Sequence, residues 1–158
     1  MQTAFFLNAV STSVAATGLT EIKWHGTRNG NSGDSKIDLH GVHGQTLVVR
    51  LNIATQALDG LQIEGLAGPD DTDWLVLAST QADYTVGTAS PWVHIASVFT
   101  TATGAYVDGN VVTAAAAKSV LLVLRTWGLT ALRIKVSAGG NSAVVTGYAT
   151  GYNQSMSA

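Results

Sequence analysis

Asp70, Asp71 and Asp73 form the densest group of chemically able side chains in the chain, in the run Gly68-Pro69-Asp70-Asp71-Thr72-Asp73. Three carboxylates in one loop could serve a hard cation such as calcium, which takes several oxygen ligands. The run lacks the ligand spacing of an EF-hand and its closing Glu. The plainer reading is a turn, because Pro fixes φ and Asp side chains accept hydrogen bonds from nearby backbone N–H groups. His40 and His43, in Leu39-His40-Gly41-Val42-His43-Gly44, are the best placed histidines, with His25 and His94 elsewhere. A metal site needs three or four converging ligands. Two histidines three apart on extended chain point to opposite faces, so polar turn histidines are the simpler account.

Nucleophilic and acid–base chemistry fare no better. Ser and Thr are plentiful, but no Gly-x-Ser-x-Gly elbow presents one of them. A paired-carboxylate hydrolase needs two acids flanking a cleft. Glu21 and Glu64 are the only glutamates, and Glu64 falls within a strand, opposite in sense to Leu61 and Ile63. No Gly-rich phosphate loop leads from a strand into a helix. Trp24, Trp74, Trp92 and Trp127 could stack on sugar rings, but each falls in or beside a predicted strand, where aromatics fill cores and cross-strand pairs. The chain is therefore read as having no catalytic, metal-ligating or cofactor-binding residue, no cofactor and no enzyme activity. One triplet remains, Phe5-Phe6-Leu7. It either pairs into a sheet or docks against a neighbouring subunit, and it is the candidate partner contact.

The elements that would carry these residues are strands. Leu47, Val49, Leu51 and Ile53 alternate with Thr46, Val48, Arg50 and Asn52, which gives a strand with one buried face. Leu61 and Ile63 alternate with Gln62 and Glu64, and Trp74–Ser79 resumes after the acidic turn, so residues 61–79 read as a hairpin. Trp92–Phe99 is a further strand, opened by Pro91. The Asp108-Gly109 pair between Tyr106-Val107 and Val111-Val112 predicts a second hairpin. Ser119–Trp127 reads as a central strand covered on both faces. Leu132, Ile134 and Val136 alternate with Arg133, Lys135 and Ser137; Gly139-Gly140-Asn141 then turns the chain into Ala143–Tyr152. Thr20–His25 and Lys36–His40 read as strands around a polar loop, Gly26–Ser35. Residues 5–16 fit a strand or a short helix. Seven to nine short strands without helices predict an all-β fold, an antiparallel β-sandwich of jelly-roll type. It would form a single domain over 1–158, with 1–18 as a candidate N-terminal arm.

Composition narrows the class of protein. Only 11% of the residues are Asp, Glu, Lys or Arg, against about 25% in an ordinary soluble domain. Small neutral residues, Thr, Ser, Ala, Gly, Asn and Gln, take their place. Such a surface can be covered by other protein with little charge to desolvate. There are no cysteines, which excludes disulfides and thiolate chemistry. The 8 basic residues are scattered and the net charge is −2, so there is no footprint for nucleic acid. No apolar stretch approaches the ~20 residues that span a bilayer. The first basic side chain is Lys23, so the N-terminus lacks the positive start of a secretory signal.

One set of residues carries a family likeness. Leu61-Gln62-Ile63-Glu64-Gly65, the acidic turn and Thr72-Asp73-Trp74-Leu75-Val76-Leu77 together resemble a hairpin of small β-sandwich proteins in tailed bacteriophages. Ala131-Leu132-Arg133-Ile134-Lys135-Val136, the Gly-Gly turn and Ala143-Val144-Val145-Thr146-Gly147-Tyr148 are similar to the last two strands of those proteins. The likeness covers about a third of the chain and brings no catalytic residues. It implies a capsid decoration, or cement, protein located on the capsid surface of the virion and made in the host cytoplasm. Its partners would be the major capsid protein and further copies of itself, a homo-oligomer with a trimer favoured, and neither nucleic acid nor membrane. Similar hairpins occur in phage tail and baseplate components and in carbohydrate-binding modules, which are the alternative readings.

Overall fold

The computed structural model describes residues 2–26, 33–39, 46–54, 58–68, 72–79, 96–100, 106–108, 119–126, 128–138 and 142–153. Their regular structure is entirely β: β1 (Gln2–Ala9), β2 (Thr12–Ala15), β3 (Thr20–Glu21), β4 (Trp24–His25), β5 (Ile37–Asp38), β6 (Thr46–Ala54), β7 (Leu58–Leu66), β8 (Leu75–Ser79), β9 (Ala96–Thr100), β10 (Tyr106–Asp108), β11 (Ser119–Arg125), β12 (Ala131–Ala138) and β13 (Ser142–Asn153). Every pairing is antiparallel. The larger sheet runs β10-β9-β11-β6-β13-β1-β4, with β2 also on β13, and the smaller runs β3-β12-β7-β8, with β5 also on β12. The fold is an antiparallel β-sandwich, as the alternating pattern predicts.

Period-two alternation decides which side chains meet between the sheets. Leu47, Val49, Leu51 and Ile53 of β6, with Val145 and Ala149 of β13, point inward from the larger sheet. Leu61 and Ile63 of β7 and Leu132, Ile134 and Val136 of β12 meet them from the smaller one, in one continuous buried cluster. Trp24 is fully buried in that cluster. The burial of these apolar side chains is the main force holding the two sheets together, at about 1.5–3 kcal/mol for each large one.

Several sequence expectations are refined. Residues 5–16 hold strand in place of helix, at 5–9 and 12–15: β1 and β2 together pair along β13, from Gln2 opposite Asn153 to Ala15 opposite Ser142. The segment 2–15, within the stretch read as an arm, is thus built into the larger sheet. Thr20–His25 is not one strand. It divides into β3, bonded to β12, and β4, bonded to β1, and so steps from one sheet to the other. The hairpin over 61–79 forms as β7 and β8. β12 and β13 follow each other closely in sequence but lie in different sheets. β11 is central, between β9 and β6. Its inward residues Leu122 and Leu124 are buried, whereas Val123 on the other face is only half-buried, so that face is less covered than expected. Tyr106–Asp108 pairs back onto β9. Gly109 and the rest of the expected turn after Asp108, Gly139-Gly140-Asn141 and residues 80–95 lie outside the described residues, as do 27–32 of the Gly26–Ser35 loop.

Two glycines of β13 are demanded by close approach. Gly147 has φ +150°, and a Cβ there would overlap the Arg50 carbonyl oxygen of β6. Gly151 leaves the space that the Phe5 ring occupies. A larger residue at 147 would push β13 away from β6, and one at 151 would displace the Phe5 ring.

Candidate functional site

The sandwich presents two outward faces. Across β12 and β7 of the smaller sheet, Arg133 stands opposite Glu64 and Lys135 opposite Gln62; on the other side of β12, Lys135 stands opposite Glu21. Each of these side chains sits on the outer side of its strand, because the intervening residues belong to the core. The Arg133 Nε donates to Glu64 Oε2. Lys135 Nζ lies 2.9 Å from Glu64 Oε1, and Gln62 Nε2 donates to the same oxygen at 2.5 Å. Arg133 Nη1 also reaches Glu21 Oε1 at 3.2 Å. Its guanidinium lies 4.3 Å from the centre of the Trp74 ring, a cation–π contact that closes the cluster on the β8 side.

Glu64 is only 5% exposed although it is on the outside of the sheet. Burial by itself raises its pKa. Hydrogen bonds from Lys135, Arg133 and Gln62, together with the Arg133 charge, outweigh that effect and hold the carboxyl below its ordinary value. The network therefore spends both Glu64 oxygens on its own neighbours, and two cations are balanced by two carboxylates. This arrangement fastens β3, β12 and β7 together and is structural in character.

The outer face of the larger sheet is different. Phe6 is 56% exposed and its ring stacks on Tyr148, with centroids 5.4 Å apart and planes inclined by 27°. Phe6 lies opposite Thr150 and Asn8 opposite Tyr148, so the two rings are diagonal neighbours on β1 and β13. Val48, Val123, Val144 and Tyr152 lie half-buried on the same side. Arg50 of β6 lies on this face opposite Tyr148, and the pairing of Arg125 with Thr46 and of Asp108 with Ser97 puts those two positions on the same side of the sheet.

The candidate triplet is divided by the pleat. Phe6 points out. Leu7 is core, at 3% exposure, and Phe5 packs against that core over Gly151. Phe6 alone of the three is therefore placed to touch a partner. Of the other residues weighed, His25 and Asp73 are exposed, Trp24 is core and Trp74 lies under Arg133. Asp70, Asp71, His40, His43, His94, Trp92 and Trp127 lie outside the described residues. Among the described residues no three His, Asp or Glu side chains converge as a metal site would need.

Sequence reasoning did not find Tyr148 or the Glu64 network. The alternation of Arg133 and Lys135 was legible, but their meeting with Glu64 depends on the register of β12 on β7. Comparison with known protein families, characterised proteins and solved structures returns no match for the chain.

Proposed function

We propose that this chain is a structural protein of a virus particle: a capsid decoration, or cement, protein of a tailed bacteriophage that binds across junctions between major capsid protein subunits and stabilises the shell. It acts by contact, without chemistry. The observation that carries this reading is the outward Phe6–Tyr148 stack on the face of the larger sheet, with Phe6 56% exposed. An exposed aromatic stack flanked by half-buried apolar side chains marks a surface that gains by being covered with protein. The charged side chains of the opposite face support the same reading, because Glu64, Arg133 and Lys135 are engaged with one another. The bacteriophage likeness of residues 61–77 and 131–148 supplies the particular assembly.

A protein that binds the closed lattice and not its separated subunits shifts assembly toward the lattice by mass action. Many copies on one shell multiply a modest contribution from each. The test compares shells assembled with and without the protein. Shells carrying it should withstand heat or chelator better, and the protein should sediment with expanded shells. Equal resistance and no co-sedimentation would refute the assignment.

A further inference from the structure

We propose that Lys135 and Gln62 are the two halves of an internal isopeptide bond, formed by the folded chain itself with Glu64 as the proton carrier. The proposal concerns the smaller sheet alone. It goes beyond the reading of the chain as a capsid protein and does not depend on it.

Lys135 of β12 stands directly opposite Gln62 of β7, a pairing that holds Cβ atoms about 4.5–5.5 Å apart. Glu64 follows two residues on, on the same face of β7. Lys135 Nζ lies 2.9 Å from Glu64 Oε1, and Gln62 Nε2 donates to that same oxygen at 2.5 Å. An amine, a carboxamide and a carboxylate thus meet at one atom. Arg133 binds the other carboxylate oxygen, which fixes the group and leaves Oε1 to the pair. Gln62 is 9% exposed and Glu64 4%, so water has little access to compete for the amide carbon. Groups held within reacting distance behave as if present at about 10⁵–10⁸ M, which offsets the low reactivity of an amide.

The reacting form is the free amine of Lys135. Its Nζ attacks Gln62 Cδ, and the carbonyl electron pair moves onto the amide oxygen. Glu64 Oε1 takes a proton from Nζ and passes it to Nε2, to which it is already hydrogen-bonded. The carbonyl re-forms, the Cδ–Nε2 bond breaks and ammonia leaves. One amide replaces another, so no oxidant or reductant is needed, and Glu64 ends as the carboxylate it began. The charged groups around the amine are Glu64 and Arg133, with Glu21 opposite on β3. Lysine is mostly ammonium at neutral pH, its ordinary pKa being about 10.4, so formation is slow and quickens about tenfold per pH unit below that value. The product ties β7 to β12 through a long loop and restricts the unfolded chain as a disulfide would. The chain has no cysteine with which to make one.

The experiment is an intact mass of the full chain, folded and incubated at pH 7, 8 and 9. The folded chain should become lighter by about 17 Da, the mass of ammonia, and faster at each higher pH. The chain held in urea should not. Trypsin does not cut after an acylated lysine, so residues 51–118 and 134–158 should be recovered joined as one species. Lys135→Arg should keep its full mass under the same treatment. Glu64→Gln should slow the loss at least a hundredfold. An unchanged mass in the folded parent would overturn the proposal, and so would a loss that persists in Lys135→Arg. A gain of about 1 Da at Gln62 would show that water takes the amide instead, and would also overturn it.

Discussion

Arg133 and Glu64 face each other in register across β12 and β7, and the guanidinium that donates to Glu64 also rests on Trp74. This places an ionised carboxylate almost out of water on the outside of a sheet. Removing one member of such a cluster leaves the others buried without compensation. Glu64→Gln should therefore lower the unfolding free energy by about 3 kcal/mol in chemical denaturation, and more than Glu21→Gln, whose carboxylate is more exposed. Equal losses in the two variants would contradict the network as described.

Stability should also depend on pH through Glu64. Its folded pKa lies below the ordinary value of 4.5, so the unfolded chain binds the proton more readily. Stability from this group is thus complete above the unfolded pKa and is lost as pH falls through the folded one. Denaturation midpoints should fall in acid below about pH 4.5, and the part due to Glu64 should vanish in Glu64→Gln. A variant with the same acid slope as the parent would remove Glu64 as the cause.

Gly147→Ala should be among the most damaging single-methyl additions. The new Cβ meets the Arg50 carbonyl of the adjacent strand, and φ +150° is unfavourable for any L side chain. A loss of about 3 kcal/mol or more is expected. Gly18→Ala, at φ +77° in open space, should cost only about 1 kcal/mol. Thermal melts of the two variants compare them directly.

How far the fold was legible follows from such details. The alternation in Thr46–Ile53 and in Leu132–Ser137 revealed both strands and their inward faces, because a period of two is a local property. The partner of each strand was not local. β12 and β13 read like neighbours and yet belong to different sheets. Thr20–His25 read as one strand because nothing in its residues marks the step between sheets. Phe5-Phe6-Leu7 was visible as an apolar triplet, but only the pleat of β1 shows that Phe6 alone faces outward. Tyr148 was unremarkable until pairing set it diagonal to Phe6.

That division makes a contrast. Leu7→Ala should cost about 2–5 kcal/mol, since it opens a void in the core, and Phe5→Ala should be similarly harmful over Gly151. Phe6→Ala should change monomer stability by no more than about 1 kcal/mol, the worth of its stack on Tyr148. Denaturant titration of the three variants checks the order. A Phe6 variant as unstable as the Leu7 variant would place that ring inside the fold.

The account stands or falls on attachment to an assembled lattice. The most direct measurement is titration of the purified chain onto expanded bacteriophage capsid shells that lack it, reading bound copies per shell and the melting temperature of the shell together. The account predicts saturable binding at a fixed ratio to capsid subunits, with the melting temperature rising as sites fill. No saturable binding, or binding that leaves the melting temperature unchanged, would contradict it.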